Sequence, residues 1–281
     1  MSKHLGALFG LKFNPFSITI PVEACLSTPR LEHFFWRVEN LTSEGGFAIV
    51  TGEPGMGKSI SLRLLSEQIQ SIPDLSVSLL SRSQSSLSDF YREIGEIFGA
   101  TLSPSNRWRA TKLLRERWKA HIDQSLWRPV LIVDEAQEMK TEVLNELRLL
   151  CSSKLDSQRL LTVVLGGDAR LLDRLRKAEL LSLGSRLRAR LVLGPASPDE
   201  LLVLLNHVLT KAGNCQLITA TVKNTLCQHS LGNPRILMNH CQELLDSAVR
   251  KELAQIDEKL YFEVFSTAPK KRGRKGKERI G

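Results

Sequence analysis

No membrane-spanning helix is expected from this 281-residue sequence, because no apolar run approaches the roughly 18 residues needed to cross a bilayer. A signal peptide is not expected either: the apolar stretch from Leu5 to Phe16 is interrupted by Lys12, short and poorly flanked. There is no C-x-x-C pair. The five cysteines (Cys25, Cys151, Cys215, Cys227 and Cys241) are widely spaced and odd in number. That pattern argues against a disulfide framework or a zinc site and suits reduced, mostly buried thiols in a cytoplasmic setting. No internal repeat is found. What remains is an ordinary globular composition, 42% hydrophobic and 25% charged, on a chain long enough for two domains with cores of their own. The net charge of +9 is unevenly spread. Seven basic residues and one acidic residue lie between 270 and 281, so the tail holds about two thirds of it, and acidic partners are implied there first.

One stretch organises the rest. Gly52-Glu53-Pro54-Gly55-Met56-Gly57-Lys58-Ser59 reads G-x-x-x-x-G-K-S. It follows the apolar run Phe47-Ala48-Ile49-Val50-Thr51 and precedes a helical pattern through Ile60, Leu62, Leu64, Leu65 and Ile69. Strand, glycine loop, helix is the context of a phosphate-binding loop. Glycines let backbone N–H groups turn toward phosphate oxygens, and the helix N-terminus adds positive potential where the anion sits. Residues 52–60 are therefore expected to hold ATP, with Lys58 on the β- and γ-phosphates and the Ser59 hydroxyl on Mg²⁺.

Val130-Leu131-Ile132-Val133 reads as a strand buried on both faces, and Asp134-Glu135 stands at its carboxyl end, where open α/β sheets place ligands. Asp134 is expected at the Mg²⁺ and Glu135 at the attacking water. The alternative is an acidic cap on a helix opening at Ala136-Gln137-Glu138. Leu161 to Leu165 is another buried strand, followed by Gly166-Gly167-Asp168, and Leu191-Val192-Leu193 is a short last strand. Val77 to Leu80 reads as a strand, with a helix after it capped at Ser88-Asp89. Strands alternating with helices imply a parallel sheet covered on both faces.

Three further stretches complete the organisation. Thr28-Pro29 opens a helix carrying Leu31, Phe34, Phe35, Val38 and Leu41. Arg107 to Trp127 is a basic helix with tryptophan; either it touches nucleic acid, or it is a surface helix with Leu114, Trp118 and Ile122 facing the core. Ser197-Pro198-Asp199-Glu200 is a capping box with proline at the first helical position, and from there to Phe265 every pattern is helical. The helices are expected at Leu201–Ala212, Thr221–His229, Pro234–Leu253 and Glu258–Phe265. Residues 270–281 show no apolar periodicity and are expected to be disordered.

Together these parts resemble an AAA+ ATPase of the ExeA type, the ATPase domain of general secretion pathway protein A. That type is closely similar to the ATPases that assist DNA transposases, such as TniB, TnsC and Mu transposition protein B. The resemblance spans about residues 5 to 265 and adds four stretches to the loop and the acidic pair: Phe9 to Phe16, Glu146-Leu147-Arg148-Leu149-Leu150, Leu193 to Glu200, and Gly232-Asn233-Pro234-Arg235. It implies an α/β fold, a P-loop five-stranded parallel sheet with helices on both faces and a small all-α lid behind it. The boundaries are 1–45 for an opening segment and helix, 46–195 for the nucleotide-binding domain, 196–265 for the lid and 266–281 for the tail. It further implies that Arg235 meets the γ-phosphate from the lid, that Arg186 is a finger acting on a neighbouring subunit's nucleotide, and that copies assemble into a ring or filament. Arg188 and Arg190 stand close enough to Arg186 to substitute for it. The sequence departs from the pattern at Asp168, where glutamine is usual, and at Gly184, where arginine is frequent. A carboxylate there would repel a γ-phosphate unless Mg²⁺ or a basic group intervened.

Two functions follow from the resemblance: an ATP-switched, DNA-binding regulator that recruits or activates a transposase or other recombination protein, or a secretion and envelope-assembly ATPase. A nucleotide-binding scaffold with little hydrolysis is a third. Secretion members are expected to continue into a membrane span, whereas this chain runs from the lid into a basic tail. Lys270, Lys271, Arg272, Arg274, Lys275 and Lys277 resemble an AT-hook for duplex DNA, without the proline that usually follows R-G-R. No membrane partner is expected, since no amphipathic helix accompanies the tail.

Overall fold

Val130 to Val133 is apolar at every position because its strand is covered on both sides. The structure, a computed structural model, describes residues 2–100, 102, 106–124, 127–153 and 158–265; the basic tail lies outside them. Five strands, β1 (Gly46–Gly52), β2 (Leu75–Leu80), β3 (Arg128–Val133), β4 (Thr162–Gly167) and β5 (Leu187–Leu193), form one parallel sheet in the order β2-β3-β4-β1-β5. Phe47, Ile49, Leu131, Val133, Val163 and Leu165 point to one face. They pack under α4 (Leu87–Ile97), α5 (Arg107–Asp123), α6 (Thr141–Cys151), α7 (Ala169–Arg176) and α8 (Leu181–Gly184). Ala48, Val50, Val130, Ile132 and Val164 point to the other, under α2 (Pro29–Glu44) and α3 (Lys58–Gln70). This alternation on strands without polar gaps is what a two-sided parallel sheet requires.

The lid is α9 (Pro198–Ala212), α10 (Ala220–His229), α11 (Pro234–Arg250) and α12 (Glu258–Phe265). Its capping box forms: Ser197 Oγ accepts from Glu200 N at 3.2 Å, and Glu200 Oε2 accepts from Ser197 N at 2.7 Å. That backbone hydrogen bond holds the Glu200 carboxyl below its ordinary range. Phe9, Leu11, Phe16, Ile20 and Ala24, from the end of α1 (Ser2–Phe9) and the irregular chain after it, are buried among lid residues. Asn14 Nδ2 donates to Gln242 Oε1 at 2.8 Å and Lys12 N to Ala212 O at 2.8 Å. The opening segment therefore packs with the lid, whereas α2 packs on the sheet.

Four local expectations need correction. The last strand is longer than Leu191–Leu193, because β5 is the sheet edge and one face suffices. Ala189 and Leu191 turn inward while Arg188 and Arg190 turn out, and Arg188 Nη1 pairs with Glu44 Oε2 at 2.8 Å. The cap of α4 is Ser86, whose Oγ accepts from Asp89 N at 3.2 Å. Residues 136–138 form one turn of 3-10 helix, and α6 starts only at Thr141. α11 stops at Arg250, because Glu252 turns left-handed (φ 52°) and Leu253 N wraps back to Ala248 O at 3.0 Å. On α5 the core reading holds: Ala110, Leu114 and Trp118 are buried, Ile122 packs beside them, and Trp108 stays outside with the Lys112 ammonium 5.3 Å from its ring centre. Cys25, Cys215, Cys227 and Cys241 are free thiols, Cys151 Sγ donates to Leu161 O at 3.0 Å, and Cys151, Cys227 and Cys241 are buried. Burial pushes the Cys227 thiol up to about 11, which keeps it protonated and inert. Among the described residues no helix is long and apolar enough to cross a membrane, and no cluster of histidine, cysteine and carboxylate side chains fits a metal ion.

Candidate functional site

The strand order brings three carboxyl ends together: β1, running into the glycine loop; β3, ending at Asp134-Glu135; and β4, ending at Gly167-Asp168. β4 lies between the other two, with Val50 opposite Gly166, Thr51 opposite Gly167 and Val133 opposite Leu165. A contact from the glycine loop to Asp134 must therefore pass over the end of β4. Ser59 Oγ reaches Asp134 Oδ2 at 2.6 Å. Gly166 makes this passable: a Cβ there would stand 3.0 Å from Asp134 Oδ1 and 2.6 Å from Leu62 Cδ1. Asp134 Oδ1 also accepts from Glu135 N at 2.8 Å, so both carboxylate oxygens are oriented.

In the loop, Gly55 (φ 90°) and Gly57 (φ 92°) take left-handed backbone that side chains disfavour. Nothing crowds Gly57, so its requirement is conformational; at Gly55 a Cβ would also meet Asn233 Oδ1 at 2.4 Å. Gly52, Met56 and Ile60 are half-buried, while Glu53, Pro54 and Ser59 are exposed. Lys58 is only 6% exposed, and its Nζ donates to Gly52 O (2.8 Å) and Glu53 O (3.2 Å), the loop's own carbonyls. A buried ammonium bonded to neutral carbonyls is a donor set that fits a phosphate anion. The Ser59 hydroxyl facing a carboxylate is a hard-oxygen pair that fits Mg²⁺.

The lid reaches this loop directly. Asn233 Nδ2 donates to Pro54 O at 3.1 Å, Arg235 N to Gly55 O at 3.3 Å, and Asn233 Oδ1 caps α11 by accepting from Arg235 N at 3.0 Å. Arg235 thus stands exposed beside the glycine loop. Asp168 caps α7 through Oδ1, which accepts from Arg170 N at 2.9 Å; its Oδ2 accepts from Arg170 Nε at 2.9 Å. The Arg170 guanidinium also bonds Glu138 Oε1 at 2.8 Å. The Arg170 hydrogen bond, with help from the Lys58 charge, holds the Asp168 carboxyl below its ordinary range. Arg170 is thus the basic group that an acid at this position calls for.

Arg186 is not at this end of the sheet. It is half-buried and immediately precedes β5, whose first residue, Leu187, is opposite Phe47 at the start of β1. A seven-residue strand separates it from the loop, roughly 20 Å. Lys270 to Lys277 lie outside the described residues. Sequence reasoning gave no role to Gln137, Arg170 and Arg174, and read Asn233 only as part of the lid stretch. Asn233 carried a signal, an asparagine before a proline at the first helical position. The other three carried none, because each also ties to a residue far along the chain: Gln137 to Asp168, Arg170 to Glu138, and Arg174 to Gln137 and Thr141.

Residues 41–175 match the family model of the AAA domain. The chain is 32% identical over 249 residues to General secretion pathway protein A of Aeromonas hydrophila, covering 85% of this chain and 44% of that protein, so it spans less than half the length of that relative. Among solved structures it is similar to the Aeropyrum pernix ORC2 protein (TM-score 0.71, 14% identity, 92% of this chain and 72% of that one). It is also similar to Drosophila ORC bound to DNA (TM-score 0.65, 17% identity, 89% and 63%). At such identities the structural likeness speaks to fold alone. Strand order, glycine loop and helical lid agree with it: the chain has the AAA+ fold, and its residues 41–175 are similar to the AAA domain.

Proposed function

We propose that this chain is an ATPase that uses slow ATP hydrolysis as a switch. The observation that carries the reading is the Ser59–Asp134 contact across the glycine end of β4, which joins the phosphate loop to the acidic strand end. Lys58 would leave its carbonyls for the β- and γ-phosphates, and Ser59 and Asp134 would hold Mg²⁺, which when bound neutralises charge on the phosphate oxygens. Glu135, exposed beside Asp134, orients the attacking water and accepts its proton. Arg235 contacts the γ-phosphate from the lid, so nucleotide and lid position are linked. Glu135→Gln should keep ATP binding and slow hydrolysis by roughly 10²–10⁴-fold, the usual worth of a positioned base. Unchanged turnover in that variant, with ATP affinity measured in parallel, would remove Glu135 from the reaction.

We further propose that the ATP-bound chain assembles into a ring or filament on duplex DNA and that its partner is a transposase or other recombination protein. The basic tail and the DNA-bound ORC relative support this reading. Seven basic tail residues would make about 4–6 phosphate contacts, each steepening log K against log [salt] by roughly 0.9. Removing residues 269–281 should flatten that slope by about 4–5 and leave hydrolysis intact. The nucleotide dependence of DNA binding must come from the folded body, which holds the site that ATP switches. The similarity to General secretion pathway protein A favours a second reading, an ExeA-like secretion or envelope-assembly ATPase. Duplex-DNA binding with and without a slowly hydrolysed ATP analogue separates the two. Affinity that ignores nucleotide and vanishes with the tail would put the second reading ahead.

A further inference from the structure

The turns that follow β3 and β4 are tied together by a side chain outside every phosphate-binding motif. Gln137, 7% exposed, donates from Nε2 to Glu135 Oε2 and accepts at Oε1 from Asp168 N at 3.3 Å. A primary amide does both at once, whereas a carboxylate in the same place only accepts. The placement of Gln137 is itself determined from several sides. Its backbone oxygen accepts from Arg174 Nη1 at 2.6 Å, and the same guanidinium reaches Thr141 Oγ1 at 3.2 Å. Gly167 leaves the room it needs, since a Cβ there would stand 2.9 Å from Gln137 Oε1. Glu135 has left-handed backbone (φ 53°), a conformation that a residue with a side chain adopts only where its surroundings impose it. An exposed glutamate would otherwise sample many rotamers; a buried amide selects one.

We propose that Gln137 is a positioning residue for hydrolysis, holding the Glu135 carboxylate in register with the end of β4. The Asp168 turn and the water-orienting carboxylate then move as one unit. The proposal rests on the role given to Glu135 above. Its consequence is specific: turnover depends on Gln137 and nucleotide affinity does not, because its hydrogen bonds go to Glu135, Asp168 and Arg174 and not to Lys58, Ser59 or the glycine loop.

The test uses the full chain and two variants. Gln137→Met keeps the length and loses both hydrogen bonds; Gln137→Glu keeps an acceptor for Asp168 N and sets a second carboxylate against Glu135. Both should lower kcat by roughly 10–100-fold, as loss of a group that orients a reacting side chain does, with the calorimetric Kd for Mg²⁺-ATP unchanged. In a Glu135→Gln background, Gln137→Met should lower kcat no further, since residues acting as a unit are not additive. Without nucleotide, Gln137→Glu should lower Tm when Glu135 is present and not in the Glu135→Gln background, where the facing charge is gone. An unchanged kcat, an equal fall in kcat in both backgrounds, or a matching loss of ATP affinity would overturn the proposal. A wild-type chain that binds ATP without hydrolysing it would end the ATPase reading instead. The nucleotide-free melts would then still decide the Gln137–Glu135 contact: coupled losses of Tm uphold it and uncoupled ones overturn it.

Discussion

Lys58→Ala is expected to abolish measurable ATP binding. Lys58 is the cation inside the glycine loop, and in this structure its ammonium rests on two main-chain carbonyls of that loop. Exchanging those neutral partners for phosphate oxygens turns bonds from a cation to carbonyl dipoles into bonds between opposite charges, and hydrogen bonds to charged groups are each worth about 1.5–3 kcal/mol. Losing them weakens binding by at least about 100-fold, before the lost Coulomb attraction is counted. The fold should tolerate the change, because truncation also removes a buried charge whose direct hydrogen bonds go to main-chain carbonyls and not to a carboxylate. Calorimetry with Mg²⁺-ATP reads the affinity, and the rise in Tm on adding ATP gives an independent measure, since a ligand that binds only the folded chain stabilises it. Equal affinities for the wild type and the variant would sink the assignment of the loop.

Arg186→Ala is expected to bind ATP as the wild type does and to hydrolyse it about 10³-fold or more slowly, the usual loss when a finger arginine is removed. As a finger, Arg186 would have to act between copies. Arg186 precedes β5 at the end of the sheet opposite the glycine loop, roughly 20 Å from its own phosphate site. An arginine side chain cannot span that distance, so Arg186 could meet only a nucleotide held by a neighbouring copy. Specific activity should therefore rise with protein concentration. Mixing Arg186→Ala with Lys58→Ala should restore partial turnover, since one chain supplies an intact loop and the other an intact finger. Activity independent of concentration, with no recovery on mixing, would move the finger elsewhere. Arg188 and Arg190 are the next positions to test. Both face outward from β5, but Arg188 is paired with Glu44.

The glycine loop, the acidic strand end and the capping box of the lid were all legible in the linear chain. Each is a local device: its residue types answer to backbone geometry or phosphate chemistry within a few positions. The three central strands were legible for a related reason, because burial on both faces leaves a continuous apolar run such as Val130 to Val133. The edge strand β5 was only half legible, since a strand covered on one face admits Arg188 and Arg190 at its outward positions.

What stayed hidden depends on which ends the sheet gathers. Strand order sets β4 between the phosphate loop and Asp134, and only then does Gly166 become the residue that lets Ser59 reach across. The same order puts the Asp168 turn against Gln137 and brings Glu138 to the Arg170 guanidinium, which already neutralises Asp168 from two residues along the chain. Packing likewise assigns Phe9, Phe16 and Ile20 to the lid, across almost the whole chain from the helices they touch. Motif chemistry is written in neighbours along the chain. Clearance over a strand end and the remote partner of a buried amide are properties of neighbours in space, and only the assembled sheet and lid specify them.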